Sequence, residues 1–173
     1  MQINEVDRAA QRGVPSESHR VFKRAGFTLP TMTYDLERFV KAQEPVYAGV
    51  LGELRDGRKR GHWMWFIFPQ LAGLGHSPQS QFFAIGSLDE AVAYWEHPIL
   101  GARLGECTTL VNEITGRTVI EIFGSIDAMK FRSSMTLFSK AAPDGPFTLA
   151  IEKYFAGELD QLTLNPLAAR RRV

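Results

Sequence analysis

The 173-residue chain is poor in the features that mark specialised proteins. It has one cysteine, Cys107, which excludes an internal disulfide and a cysteine-built metal site. The longest unbroken apolar run, Trp63 to Pro69, falls far short of the ~20 residues a membrane-spanning helix needs. No basic stretch followed by an apolar core opens the sequence, so no export signal is read; the expected location is the cytoplasm, with no membrane partner. Charge of one sign is also scarce. Twenty Lys and Arg against 19 Asp and Glu leave a net charge of +1, which gives no bulk attraction for nucleic acid. The four histidines (His19, His62, His76, His97) never stand at i, i+4, and no Asp or Glu lies at a fitting interval, so no metal is expected. Gly-x-Ser-x-Gly, Walker and dinucleotide fingerprints are missing, and no cofactor is expected.

What remains is an ordinary globular composition, 45% apolar and 23% charged, sized for one domain. Residues 1–34 carry Arg8, Arg12, Arg20, Lys23 and Arg24 without a sustained apolar period, and are read as an N-terminal extension. Residues 35–167 form the expected single domain, and 168–173, with Arg170 to Arg172, a basic tail.

Helical periodicity recurs through that domain. Asp35 is a reasonable N-cap for Leu36, Phe39, Val40 and Gln43. Pro45 fits a first helical position ahead of Tyr47, Val50, Leu51 and Leu54, with Gly57 as the stop. Ser87 to Glu90 reads as a capping box before Leu88, Ala91, Val92 and Trp95. Pro98 starts a stripe of Leu100, Leu104, Cys107, Val111 and Ile114; Ser125 caps another of Ala128, Phe131, Met135, Phe138 and Ala142; Pro146 opens the last clear one. Segments 62–68 and 118–123 carry β-branched and aromatic residues that favour strands, yet both are short enough for helices. The expected fold is all-α or mainly α: a compact domain of about seven helices, with at most a short extended segment around 62–68.

Two places invite chemistry. The segment His62-Trp63-Met64-Trp65-Phe66-Ile67-Phe68-Pro69-Gln70 packs its rings densely enough to fill a core or to wall a cleft that stacks a planar ligand. The glycine-flanked turn after it, Gly73 to Ser77, would expose backbone N–H groups to an anion. His62 is a general base in the cleft reading. On the helix after Ser125, Asp127, Lys130 and Ser134 share one strip, with Ser133, Thr136 and Arg132 close by. A helix interior is a poor place for so many hydroxyls on propensity grounds. They either meet a phosphate or carboxylate or permit close helix packing. Asp127 and Lys130 are then a solvated i, i+3 pair or a titratable and a cationic site residue. Arg103 and Glu106 form a surface pair, or Arg103 an anion ligand; Cys107 falls within an apolar stripe and reads as an inert thiol.

The strings HWMWFIFPQLAGLGHS, LDEAVAYWEHPILGARLGEC, IFGSIDAMKFRSSMTLFSKA and YFAGELDQLTL resemble the bacterial domain-of-unknown-function 1810 family over about Asp35 to Leu164. The resemblance implies a mainly helical fold. The label calpastatin, carried by some members, implies a disordered inhibitor and conflicts with this composition. A more distant similarity is to the NADAR N-glycosidases, through His97-Pro-Ile-Leu-Gly-Ala-Arg103-Leu-Gly and the Lys130 to Phe138 segment. It implies an ADP-ribose-like or nucleotide-like substrate. The Glu-His pair those proteins place before their Gln is missing from Ser77-Pro-Gln-Ser-Gln81, and with it the carboxylate that would stabilise an oxocarbenium-like centre.

The sequence therefore supports a domain binding a small anionic or nucleotide-like ligand, with Trp63, Trp65, Phe68, Gln70, Arg103, Lys130, Ser133 and Ser134 as binding residues and Asp127 and His62 as titratable ones. An N-glycosidase and a non-catalytic protein-interaction module are the alternatives. The first two place the aromatic segment and the serine-lysine helix on one concavity.

Overall fold

A single helix organises the domain. In the computed structural model, which describes residues 33–170, α8 (Ser125–Ala141) is encased along its second half, where every residue from Ser133 to Phe138 is buried. Packed on it are α3 (Met64–Ile67), α5 (Leu88–Glu96), α7 (Val119–Phe123), α9 (Phe147–Phe155) and α10 (Gln161–Arg170). A helix surrounded in this way buries more than one stripe, so Leu137, outside the predicted apolar face, is as buried as Phe131 and Phe138. Outside this shell, α1 (Glu37–Gln43) packs on α3, and α2 (Tyr47–Arg55) on α6 (Leu100–Glu113). The remaining element is α4 (Pro78–Phe82). The expected N-terminal extension falls almost wholly outside the described residues, as do Arg171 and Arg172 of the expected tail, while α10 runs on to Arg170.

Among the described residues there are ten helices rather than about seven, and the one-turn elements α3, α4 and α7 account for the excess. Both segments with strand-favouring composition are helical. In α7, Thr118 and Glu121 form a reciprocal capping box. In α3, Met64, Ile67 and Phe68 turn inward at i, i+3, i+4 while Trp65 and Phe66 stay half-buried. The extended pairing that does occur is an isolated parallel bridge between Leu71 and Ile85.

Helix starts differ in detail from expectation. Leu36 and Gly124, not Asp35 and Ser125, occupy the N-cap positions of α1 and α8, and neither gives a side-chain cap. Pro45 precedes α2 in a turn, which places Tyr47 first in the helix. Ser87 does cap α5, but Glu90 reaches back to the Gly86 N–H. His97 caps α6 through Nδ1, which accepts from the N–H groups of Ile99 and Leu100 at 3.2 and 3.3 Å. Gly101, one residue into α6, faces the Trp95 carbonyl so closely that a Cβ there would overlap it. That close approach lets α5 and α6 pack against each other.

Candidate functional site

A cleft of about 580 Å³ opens between the aromatic segment, the loop leading into α4, the first half of α8 and the start of α10. Trp65 and Gln70 come from the first, Gly75 to Ser77 from the second, Lys130 and Ser133 from the third, and Asp160 and Leu162 from the last. Its mouth is apolar. Ile126, Met129 and Leu162 are 65%, 65% and 69% exposed, unusual values for large apolar side chains. Two of its polar groups lie deeper: Ser133 is buried and Lys130 only 22% exposed.

A second hollow of about 430 Å³ shares Trp65, Ile126 and Lys130 with the first, and adds Lys59, His62 and Gly124 to Asp127. Asp127 joins two lysines here, with Oδ2 2.8 Å from Lys59 Nζ and Oδ1 2.8 Å from Lys130 Nζ. Each lysine lies over a tryptophan, Lys59 at 5.2 Å from the Trp63 ring centre and Lys130 at 5.1 Å from that of Trp65. Burial pulls the Asp127 carboxyl upward, but hydrogen bonds from Lys130 and Lys59, with their charges, outweigh it and hold the group below the ordinary aspartate range. An ionised carboxylate occupied by two ammonium groups is a poor proton acceptor, so its work here is to position Lys59 and Lys130. Lys59 also feels the Glu53 carboxylate, so Lys130 is the cation of this junction with charge left to offer an anion.

The predicted residues divide. Trp65, Gln70, Lys130 and Ser133 share the first cleft, while His62 and Asp127 line the second hollow, and among the described residues no hydrogen bond joins those two. Trp63 is 3% exposed; its indole N–H donates to Glu53 at 2.9 Å, and its ring lies against Phe68 and Phe123. Phe68 is fully buried, edge-on to Phe131 at 4.9 Å. These two rings are core, because Glu53 also accepts the N–H groups of Arg60 and Gly61 and draws the turn before α3 inward. Ser134 stands one residue beyond Ser133, about 100° around the helix, and faces the interior. Arg103 is remote from the cleft. It bonds Glu44 at 2.7 Å and covers the Tyr47 ring, tying α6 to the turn between α1 and α2. Its expected partner Glu106 instead accepts from the Tyr47 hydroxyl at 2.6 Å. Cys107 is buried, and burial, seconded by the Glu106 charge, pushes its thiol up to about 12.

Comparison with known proteins identifies the family. The model described as "Protein of unknown function (DUF1810)" matches residues 33–167. The chain belongs to the DUF1810 family. It is similar to the conserved hypothetical protein Rv1873 from Mycobacterium tuberculosis, solved as a crystal structure, at 54% identity and a TM-score of 0.77. The match covers 78% of this chain and 97% of that one. No curated protein matches the chain. Among the described residues of this DUF1810 protein, no helix is long and apolar enough to cross a membrane, and no group of three His, Cys, Asp or Glu side chains could hold a metal ion.

The sequence reading missed the apolar mouth of the DUF1810 cleft, Ile126, Met129 and Leu162, and one carboxylate within it. Asp160 precedes α10, with its Oδ2 2.8 Å from Ser133 Oγ and 2.5 Å from Thr163 Oγ1. Its N–H donates to Thr136 Oγ1 at 2.9 Å, and Arg132 donates to the Glu158 and Leu159 carbonyls at 2.9 and 3.3 Å. The polar residues of α8 thus fix this loop, which explains Ser133, Thr136 and Arg132 on a buried helix. The available signal was Asp160 three residues before Thr163 at a helix start.

Proposed function

We propose that the larger cleft binds a small anionic, nucleotide-like ligand. The observation that carries this reading is the Lys130 ammonium, held by Asp127 at 2.8 Å and over the Trp65 ring at 5.1 Å, on the wall common to both hollows. An ammonium has three donors, and one meets Asp127, so two remain for a phosphate or carboxylate. The apolar mouth of Ile126, Met129 and Leu162 suits the planar end of the same ligand.

Thermal-shift titration with ADP-ribose, NAD and AMP tests this, because a ligand bound only by the folded chain raises its melting temperature. A saturable rise, lost in Lys130→Ala and retained in Arg103→Ala, supports the reading. No shift with any of the three contradicts it. Hydrolysis of an N-glycosidic bond is the catalytic form of the same reading, favoured by the Asp160 carboxylate in the cleft; release of free base from NAD on incubation separates turnover from binding. The exposed trio at the mouth also favours a protein-interaction module, which predicts no nucleotide response at all.

A further inference from the structure

We infer that Asp160 is a ligand-contacting residue that reads hydroxyl groups, so the cleft prefers a hydroxylated phosphate ester, such as the ribose end of a nucleotide, to a bare anion. This rests on the anion-binding reading above and names the ligand class. Asp160 is fixed from several directions at once: its N–H by Thr136, the preceding carbonyls by Arg132, and its carboxylate by two hydroxyls. Such preorganisation is what a recognition group needs. Both hydroxyls fall on Oδ2; among the described residues Oδ1 receives none, and the residue lines the cleft together with Lys130.

A carboxylate only accepts hydrogen bonds. A bare anion that offers no donor is repelled by it, whereas a sugar diol offers two donors and no charge; ribose hydroxyls meet an acidic residue in the same way in dinucleotide sites. A ligand ammonium would also donate, but the Lys130 ammonium on the same wall disfavours a further cation; Arg132 is already paired with Glu158 at 3.2 Å. Lys130 as the cation and Asp160 as the fixed acceptor therefore select a ligand carrying both a phosphate and hydroxyls.

The test is calorimetric titration of the full chain with AMP, with 2′,3′-dideoxyadenosine monophosphate and with pyrophosphate. The wild type is expected to bind AMP about tenfold more tightly than the dideoxy compound, the scale of one hydrogen bond to a charged group. In Asp160→Asn and Asp160→Ala this ratio falls to about twofold or less, while pyrophosphate binds more tightly because a like charge has gone. Asp160→Asn keeps a side-chain oxygen for Ser133 and Thr163, and its unchanged melting temperature guards against a folding artefact. Equal binding of AMP and the dideoxy compound by the wild type overturns the inference, as does a ratio unchanged in both variants. If none of the three probes binds the wild type, the anion-binding reading fails and this inference with it.

Discussion

Trp63 and Trp65 stand two positions apart, each lies beneath a lysine, and both lysines close on the same carboxylate, Asp127. Their surroundings nevertheless assign them opposite roles. Trp63 is sealed among Phe68 and Phe123, with its indole N–H on Glu53; Trp65 is half-buried and walls both hollows. Trp63 is the N-cap residue of the one-turn α3 and Trp65 its second residue, and this short step turns the side chain from the core to the surface. Aromatic density in a sequence therefore does not distinguish a core from a binding wall. The local backbone direction decides, and it differs within one segment.

Truncation should separate the pair most sharply. Trp63→Ala removes a fully packed ring and a buried hydrogen bond, and we expect a loss of about 3–5 kcal/mol in urea denaturation. Trp65→Ala should cost about 1 kcal/mol by the same measurement, since its ring is only half-buried. Equal losses would erase the distinction between core and wall.

Asp127→Asn strikes the group the two lysines share. It leaves Lys59 and Lys130, 10% and 22% exposed, without their counter-charge, with an expected loss of about 2 kcal/mol. Because the Asp127 pKa is lowered on folding, its contribution is complete above the ordinary aspartate value of about 3.9 and is lost as pH falls through the lower folded value. The variant should accordingly lose less stability than the wild type between neutral and acid pH. A parallel pH profile would show that the carboxylate is not held below its ordinary range.

Much of the fold was legible in the sequence. The stripes of α2, α5, α6, α8 and α9 are long enough for the 3.6-residue period to register, and Ser87 marked a start correctly. Elements α3 and α7 span four and five residues, hardly more than one turn, so period could not decide between the strand that composition favoured and a short helix. For α7 the decisive signal was Thr118 with Glu121, a pattern readable without coordinates. The cleft was less accessible. Lys130 and Trp65 are 65 positions apart, and Ser133 and Asp160 are 27 apart; only the packing of α8 brings each pair together. For Arg103 the helical neighbour Glu106 was the obvious partner in sequence, whereas Glu44 and Tyr47, which it engages, lie on other elements.

A smaller effect sharpens the wall side of the comparison. Lys130→Gln keeps a polar group beside Asp127, which retains Lys59, so the expected stability change is under about 1 kcal/mol. Its affinity for ADP-ribose should fall about tenfold, as one charged hydrogen bond is lost. Arg103→Ala, at a residue that lines neither hollow, should leave that affinity within about twofold of the wild type, the spread expected of an independent site.

The two tryptophans also provide the most direct measurement. A nitrogen-15 spectrum of this protein carries three indole N–H resonances, from Trp63, Trp65 and Trp95. On titration with ADP-ribose, ligand binding in the cleft predicts a saturable shift of the Trp65 resonance, with Trp63 and Trp95 nearly unmoved. A Trp65 resonance that stays in place at saturating ADP-ribose, or three resonances that drift together without saturating, would contradict it.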